Sequence, residues 1–317
     1  MQDLGTVLKE FMKRYPAMTE GATAQTLKRI QADPDIQQFW TEHQSELKQD
    51  ALVVSMMDLF EFMREKSREQ DPKKALYPGY RPTLVVEKGY PHVSYEPTKQ
   101  LVKQMKQKQL LTAFAVPKSA LKADLSEVVQ DFVQDSGRAK AMNVVADTLS
   151  HLIEKKQTKS DRFIPGVYLS GDFGVGKTFL MGAFANSLAN NEIPVMMVHW
   201  ASVIEDLKAT FKKKNDESLK TMVNQMKQVS VLIIDDIGAD TLTSWSRDAI
   251  LGVILEYRMQ HELTTCFTSN FEMDGLQDYL AQTKDGVEQG KAARLMQRVR
   301  FLSEPLQMSG ENRRLMR

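Results

Sequence analysis

The chain has 317 residues, room for about two domains with at least one full hydrophobic core. Its 42 Lys+Arg and 41 Asp+Glu nearly cancel, so no global field draws the whole molecule to nucleic acid or membrane, and any polyanion binding has to come from local patches. One cysteine, Cys266, excludes an intrachain disulfide and a multi-cysteine zinc centre; with no apolar run of roughly 18 residues and no signal-peptide core, a cytoplasmic protein is expected.

Apolar positions recur at helical spacing over Leu4–Tyr15, Thr23–Gln31, Asp35–Leu47 and Ala51–Glu69. Asp33-Pro34 supplies a helix start, with Asp33 as the cap and Pro34 at the first helical position. Residues 70–82 carry loop chemistry (Tyr77-Pro-Gly-Tyr-Arg-Pro82), and Thr83–Glu87 with His92–Glu96 around Lys88-Gly-Tyr-Pro91 predict a small hairpin. Tyr77, Tyr80, Tyr90 and Tyr95 crowd this region and read as hairpin packing in preference to a base-stacking platform. Thr98–Leu111 predicts a lysine-rich helix with a solvated face, and residues 113–123 read as a connector between an N-terminal domain, 1–112, and a C-terminal domain, 124–317.

Helices over Leu125–Ser136 and Arg138–Lys155 come next, and then the pattern alternates. Strands are expected at 166–170, 194–199, 229–235, 264–269 and near 299–307, with helical stretches at 177–189, 202–227, 244–260, 273–282 and 290–298. Such alternation predicts an α/β domain, a parallel sheet with helices on both faces, preceded by the mainly helical N-terminal domain with its hairpin. Cys266 reads as a small buried apolar residue of the strand Thr264–Thr268.

Between the first strand and its helix lies Gly171-Asp172-Phe173-Gly174-Val175-Gly176-Lys177-Thr178, a complete G-x-x-x-x-G-K-[ST] loop followed by Phe179. Glycines let successive backbone N–H groups turn inward around a triphosphate, Lys177 reaches the β- and γ-phosphates, and the Thr178 hydroxyl ligates Mg²⁺. Val231-Leu-Ile-Ile-Asp-Asp236 is a buried-strand run ending in two carboxylates, which a cation at the strand end would stabilise. Asp235 is the candidate Mg²⁺ partner, and Asp236 is the candidate that orients the attacking water. Asn270, after Thr268-Ser269, is placed to contact that water and the γ-phosphate, although an ordinary strand-end Asn is the blander alternative. Arg294 and Arg298 share one helix face and could reach a neighbouring subunit's γ-phosphate.

Gly171–Phe179, Val231–Ala239, Thr243–Asp248, Thr268–Phe271, Lys291–Arg298 and Gly310–Arg314 together resemble, in order, the DnaI family of bacterial replicative-helicase loaders. These belong to the DnaC/DnaI/IstB-like group of AAA+ ATPases, and the resemblance is strongest over residues 165–317. It implies a Mg²⁺-dependent ATPase stimulated by partner and single-stranded DNA, and an N-terminal domain that docks on a DnaB-type hexameric helicase. It also implies contacts with other primosome proteins and oligomerisation at least with the helicase. By position it assigns Asn270 as sensor 1 and Arg298 as the arginine finger, with Arg294 second and Arg313 or Arg314 near the nucleotide. Lys208, Lys212, Lys213 and Lys214 fall in the segment that lines a DNA groove in related initiators and loaders. Members of the family can carry an N-terminal zinc site; with no cysteine there, and only His43 and His92, no zinc is expected and the tyrosines are expected to pack the hairpin instead. An IstB-like transposition ATPase, which would not need residues 1–112, and an ATP-switched adaptor with little hydrolysis remain open as other readings.

Overall fold

The computed structural model describes residues 21–68, 71, 73–126, 128, 136–210, 217–239 and 242–313. The helices expected at Leu4–Tyr15 and over most of Leu125–Ser136 lie outside the described residues. The chain divides into two compact units at Met105/Lys106.

In the first unit, helices Gly21–Ala32, Pro34–Glu42 and Met56–Lys66 bury Leu27, Ile30, Ile36, Trp40, Leu59 and Phe62 in one cluster. Asp33 caps as expected: its Oδ1 accepts from the N–H groups of Asp35 (3.0 Å) and Ile36 (3.3 Å). Strands β1 (Tyr80–Glu87) and β2 (Tyr90–Pro97) form the hairpin, and Glu87 pairs with Tyr90 across a two-residue turn. Lys88 (φ 53°) and Gly89 (φ 88°) both lie in the left-handed region, the backbone that matches the twist of a tight hairpin. The tyrosines do pack it. Tyr95 stacks edge-on to Tyr77 at 4.6 Å and donates to Glu61 (2.7 Å), and the Lys48 ammonium lies 4.4 Å above the Tyr90 ring.

The second unit is built on a six-stranded, all-parallel sheet. Its strands are β3 (Leu111–Phe114), β4 (Gly166–Ser170), β5 (Val195–His199), β6 (Val231–Asp235), β7 (Thr264–Ser269) and β10 (Ser303–Gln307), in the order β10-β4-β7-β6-β5-β3. Alternate residues feed two cores. Val167, Leu169, Val231 and Ile233 pack against helices Ser136–Thr158 and Lys177–Asn190, whereas Tyr168, Leu232 and Ile234 pack against the helices of the other face. Cys266 is fully buried in the first of these cores, and burial pushes its thiol up to about 11. A two-stranded ribbon, β8 (Gln282–Thr283) and β9 (Gly286–Val287), precedes helix Gln289–Leu302.

Two expectations are corrected here. Residues 113–123 are not a free connector: Leu111–Phe114 pairs with Val195–Val198 as the edge strand, and the turn Ala120–Lys122 docks on helix Lys177–Asn190, where the Asn186 amide donates to Leu121 O (2.9 Å) and Ala123 O (2.8 Å). A four-residue edge strand carries too little periodicity to be seen in the sequence. The helical stretch 244–260 is π-helical over Trp245–Leu251 before it becomes α-helical at Gly252–Gln260. There the buried Arg247 forks onto Asp248 (2.7 and 2.9 Å) and donates to Leu280 O (3.1 Å).

Arg258 locks the lower end of the sheet. It is fully buried and donates to Thr265 Oγ1 (2.8 Å) and to the carbonyls of Met226 (2.9 Å), Lys227 (3.2 Å), Val229 (2.8 Å) and Thr264 (2.6 Å). One guanidinium thereby satisfies the C-terminus of helix Glu217–Gln228 and the start of β7. Arg258→Leu should lower the stability of this unit by about 3 kcal/mol or more, since buried acceptors lose a charged donor. Chemical denaturation followed by circular dichroism measures it, and Arg258→Lys should recover only part.

Candidate nucleotide site

All strands of the sheet point the same way, so the loop after β4 and the ends of β5, β6 and β7 converge on one edge. Ligands bind at this edge in open α/β sheets. A cavity of about 730 Å³ opens there, lined by the loop (Phe173, Gly174, Gly176, Lys177, Thr178, Phe179) and by Asp235, Asp236, Thr268 and Asn270. Helix Lys177–Asn190 begins at the loop, with its free N–H groups and positive dipole end toward the cavity.

Sheet order explains the grouping. Strand β7 lies between β4 and β6, so its polar end sits between the loop and the two acids. Asp235 is 1% exposed, and burial raises its carboxyl above the usual carboxylate range. Two hydroxyls donate to it: Thr178 to Oδ1 (2.9 Å) and Oδ2 (3.1 Å), and Thr268 to Oδ1 (2.6 Å). A carboxylate beside a threonine hydroxyl at a strand end is a hard oxygen pair that suits Mg²⁺.

The Lys177 ammonium is held by the carbonyls of Gly171 (2.7 Å) and Asp172 (2.9 Å) and by Asn270 Oδ1 (2.8 Å). The other end of that amide donates from Nδ2 to Asp236 Oδ1 (3.1 Å). Asp236 adopts φ 57°, a left-handed conformation uncommon for a side-chain-bearing residue, and its N–H donates to Thr268 Oγ1 (2.8 Å).

Sequence reasoning missed His199. It ends β5 in register with Asp235, and its Nε2 lies 3.8 Å from Asp236 Oδ2 while Nδ1 contacts Ser202 Oγ (3.0 Å). The imidazole holds the Asp236 carboxyl below the usual range, and Asp236 in turn raises the imidazole pKa. A histidine closing the buried run Val195-Met-Met-Val198 was the available signal. Also missed were Ala115, Pro117, Ser119 and Ala120, which line the same cavity.

Of the remaining expected residues, Arg313 lines the cavity, and Arg314 lies outside the described residues. Arg298 and Arg294 are not among the cavity-lining residues. Arg298 donates to Gly252 O (2.9 Å), just after the π-helical segment, and pairs with Glu256 (2.6 Å), whereas Arg294 is exposed. Lys208 is half-buried in the last turn of helix Trp200–Thr210; Lys212, Lys213 and Lys214 lie outside the described residues. No described helix is long and apolar enough to cross a membrane.

Residues 1–95 match the family described as primosomal protein DnaI N-terminus, and residues 164–317 match IstB-like ATP binding protein. Over 314 residues the chain is 33% identical to the replicative helicase loader DnaI of Bacillus subtilis (strain 168), covering 96% of this chain and 94% of the relative. It is 29% identical over 113 residues to the replicative helicase loader DnaC of Buchnera aphidicola subsp. Baizongia pistaciae (strain Bp), covering 36% of this chain and 46% of that one. Among solved structures, a crystal structure of DnaI superposes with a TM-score of 0.53 at 34% identity, covering 66% of this chain and 99% of that one.

Lys177→Ala should abolish binding of a fluorescent ATP analogue, because a phosphate-binding loop here would lose its lysine cation. Asp236→Asn should bind the analogue within about twofold of wild type and lose about 10²-fold or more in phosphate release, the size of effect a positioned general base supplies.

Proposed function

The chain belongs to the DnaI family of replicative helicase loaders, and we propose that it is an ATP-dependent loader that binds the replicative hexameric helicase and helps place it on single-stranded DNA. The observation that carries this reading is the 33% identity running through both units. It is supported by the match of residues 1–95 to the DnaI N-terminus. A transposition ATPase of the IstB type would need only the second unit, so the N-terminal match favours the loader.

In the nucleotide site, the loop amides and Lys177 hold the triphosphate, with Lys177 leaving the carbonyls of Gly171 and Asp172 for the phosphates. Thr178 and Asp235 are the residues that would hold Mg²⁺, which when bound would supply positive charge against the phosphates. Asp236 orients and deprotonates the attacking water, Asn270 fixes the Asp236 carboxylate and faces the γ-phosphate, and His199 keeps that carboxylate ionised and aimed. Arg298 belongs to the surface a neighbouring subunit would meet. As a trans cation it would act on transition-state charge, after leaving Glu256 and Gly252 O. The first unit is the helicase-docking unit, and Lys208 with Lys212–Lys214 would follow the DNA phosphates without reading sequence. Partner and single-stranded DNA then raise turnover by assembling the site across subunits.

The test is size-exclusion chromatography of the full chain with its organism's replicative helicase, with and without ATP. Co-elution is expected, and residues 106–317 alone should no longer co-elute. A full chain that never associates with the helicase, or a second unit that binds as well alone, would sink the assignment. Arg298→Ala should leave nucleotide affinity within about twofold and lower hydrolysis about 10³-fold in the assembled state only, as loss of a trans arginine does.

A further inference from the structure

The last described residues do not leave the nucleotide site; they are strapped across it. Met308 N–H donates to Ser170 O (2.8 Å) at the start of the phosphate loop, and Arg313 N–H donates to Gly174 O (3.1 Å) within it. Three glycines, Gly137, Gly171 and Gly174, make room for this segment. A Cβ on Gly174 would lie 1.9 Å from Asn312 Oδ1, and one on Gly137 would lie 2.0 Å from Ser309 Oγ. A Cβ on Gly171 would lie 2.1 Å from Met308 O, backbone that cannot turn aside, whereas at Gly137 and Gly174 the nearest atoms are side-chain ends that a substitution would displace.

Arg138 ties the two together. It is 5% exposed, in the first turn of helix Ser136–Thr158, and is not among the cavity-lining residues. Its Nε donates to Val175 O (3.0 Å) in the phosphate loop, and its Nη2 donates to Glu311 O in the segment above. A rigid guanidinium fork can serve two carbonyls on separate segments at once, which a lysine ammonium on a flexible stem does less well. Burying such a charge is costly unless the acceptors it reaches are held in place. The bridge therefore fixes the height of the strap over the loop, and with it the Arg313 side chain that lines the cavity.

The geometry points to Arg138 as a positioning residue for nucleotide binding: it clamps the segment Met308–Arg313 onto the phosphate loop and so presents Arg313 to the nucleotide's phosphates. This rests on the loop being the nucleotide site proposed above. Arg138 acts by tying the strap to the loop, and Arg313 supplies the cation.

A double-mutant cycle in the full chain tests it, read by Kd for a fluorescent ATP analogue with Mg²⁺ and by KM and kcat of phosphate release. Arg138→Gln and Arg313→Ala should each raise Kd about tenfold, and the double variant should be no more than about twofold worse than either, because both remove one interaction. The pair Gly137→Cys/Ser309→Cys, built into the Arg138→Gln chain, should restore affinity on oxidation and lose it on reduction. The Cβ positions there are 3.2 Å apart, so a separation of a few tenths of an ångström brings them to the roughly 3.5–4.5 Å of a disulfide. A merely structural role would not respond to that cross-link. Wild-type affinity of Arg138→Gln, or full additivity of the two changes, overturns the proposal. So does an Arg138→Gln chain that neither folds nor is rescued when cross-linked. Lys177→Ala separates the premise: if it too binds as wild type, the loop assignment fails, and not the clamp alone.

Discussion

A buried carboxylate governs the second unit. Asp235 ends a strand whose other residues are apolar and enclosed, and an unpaired charge there would cost several kcal/mol. It persists because hydroxyls come to it from two other segments, Thr178 from the helix after the phosphate loop and Thr268 from the neighbouring strand. Those donors arrive only if β7 separates β4 from β6, so the strand order and the chemistry of one side chain are the same constraint seen at two scales.

From that anchor a row of polar groups runs across the sheet edge. Lys177 meets Asn270, Asn270 meets Asp236, and Asp236 faces His199, one group from each of four successive segments of the sheet. Each sits at or beside the end of a regular element, which holds geometry better than a free loop would. The left-handed backbone of Asp236 turns its carboxylate back toward the row where a continuing strand would carry it away. His199 is followed directly by helix Trp200–Thr210, so one peptide unit joins that helix to the residue facing Asp236.

The phosphate loop, the acidic strand end, Asn270 and the alternation of strands and helices were legible because each is local: a spacing of glycines, an apolar run of strand length, a polar triplet. His199 and Thr268 were not singled out, since their meaning comes from lying beside Asp235 or Asp236 across a sheet whose order the sequence does not state. The edge strand Leu111–Phe114 was split between the expected helix end and the start of the connector because four residues hold no measurable period. The π-helical turn at Trp245–Leu251 and the buried Arg258 depend on partners about 30 to 40 residues away, Leu280 and Glu288 for Arg247, and Met226 and Val229 for Arg258. In the first unit, the Asp33 cap and the hairpin were visible because turn and capping chemistry is written in adjacent residues.

Cys266 has a practical consequence. Its sulfur is enclosed in the sheet's core, and its thiol is held almost wholly protonated at neutral pH, so alkylating reagents find neither access nor thiolate. The natural chain is thereby a silent background for maleimide chemistry. A fluorophore or spin label attached at a single introduced surface cysteine would report from that site alone, with the native residue left in place.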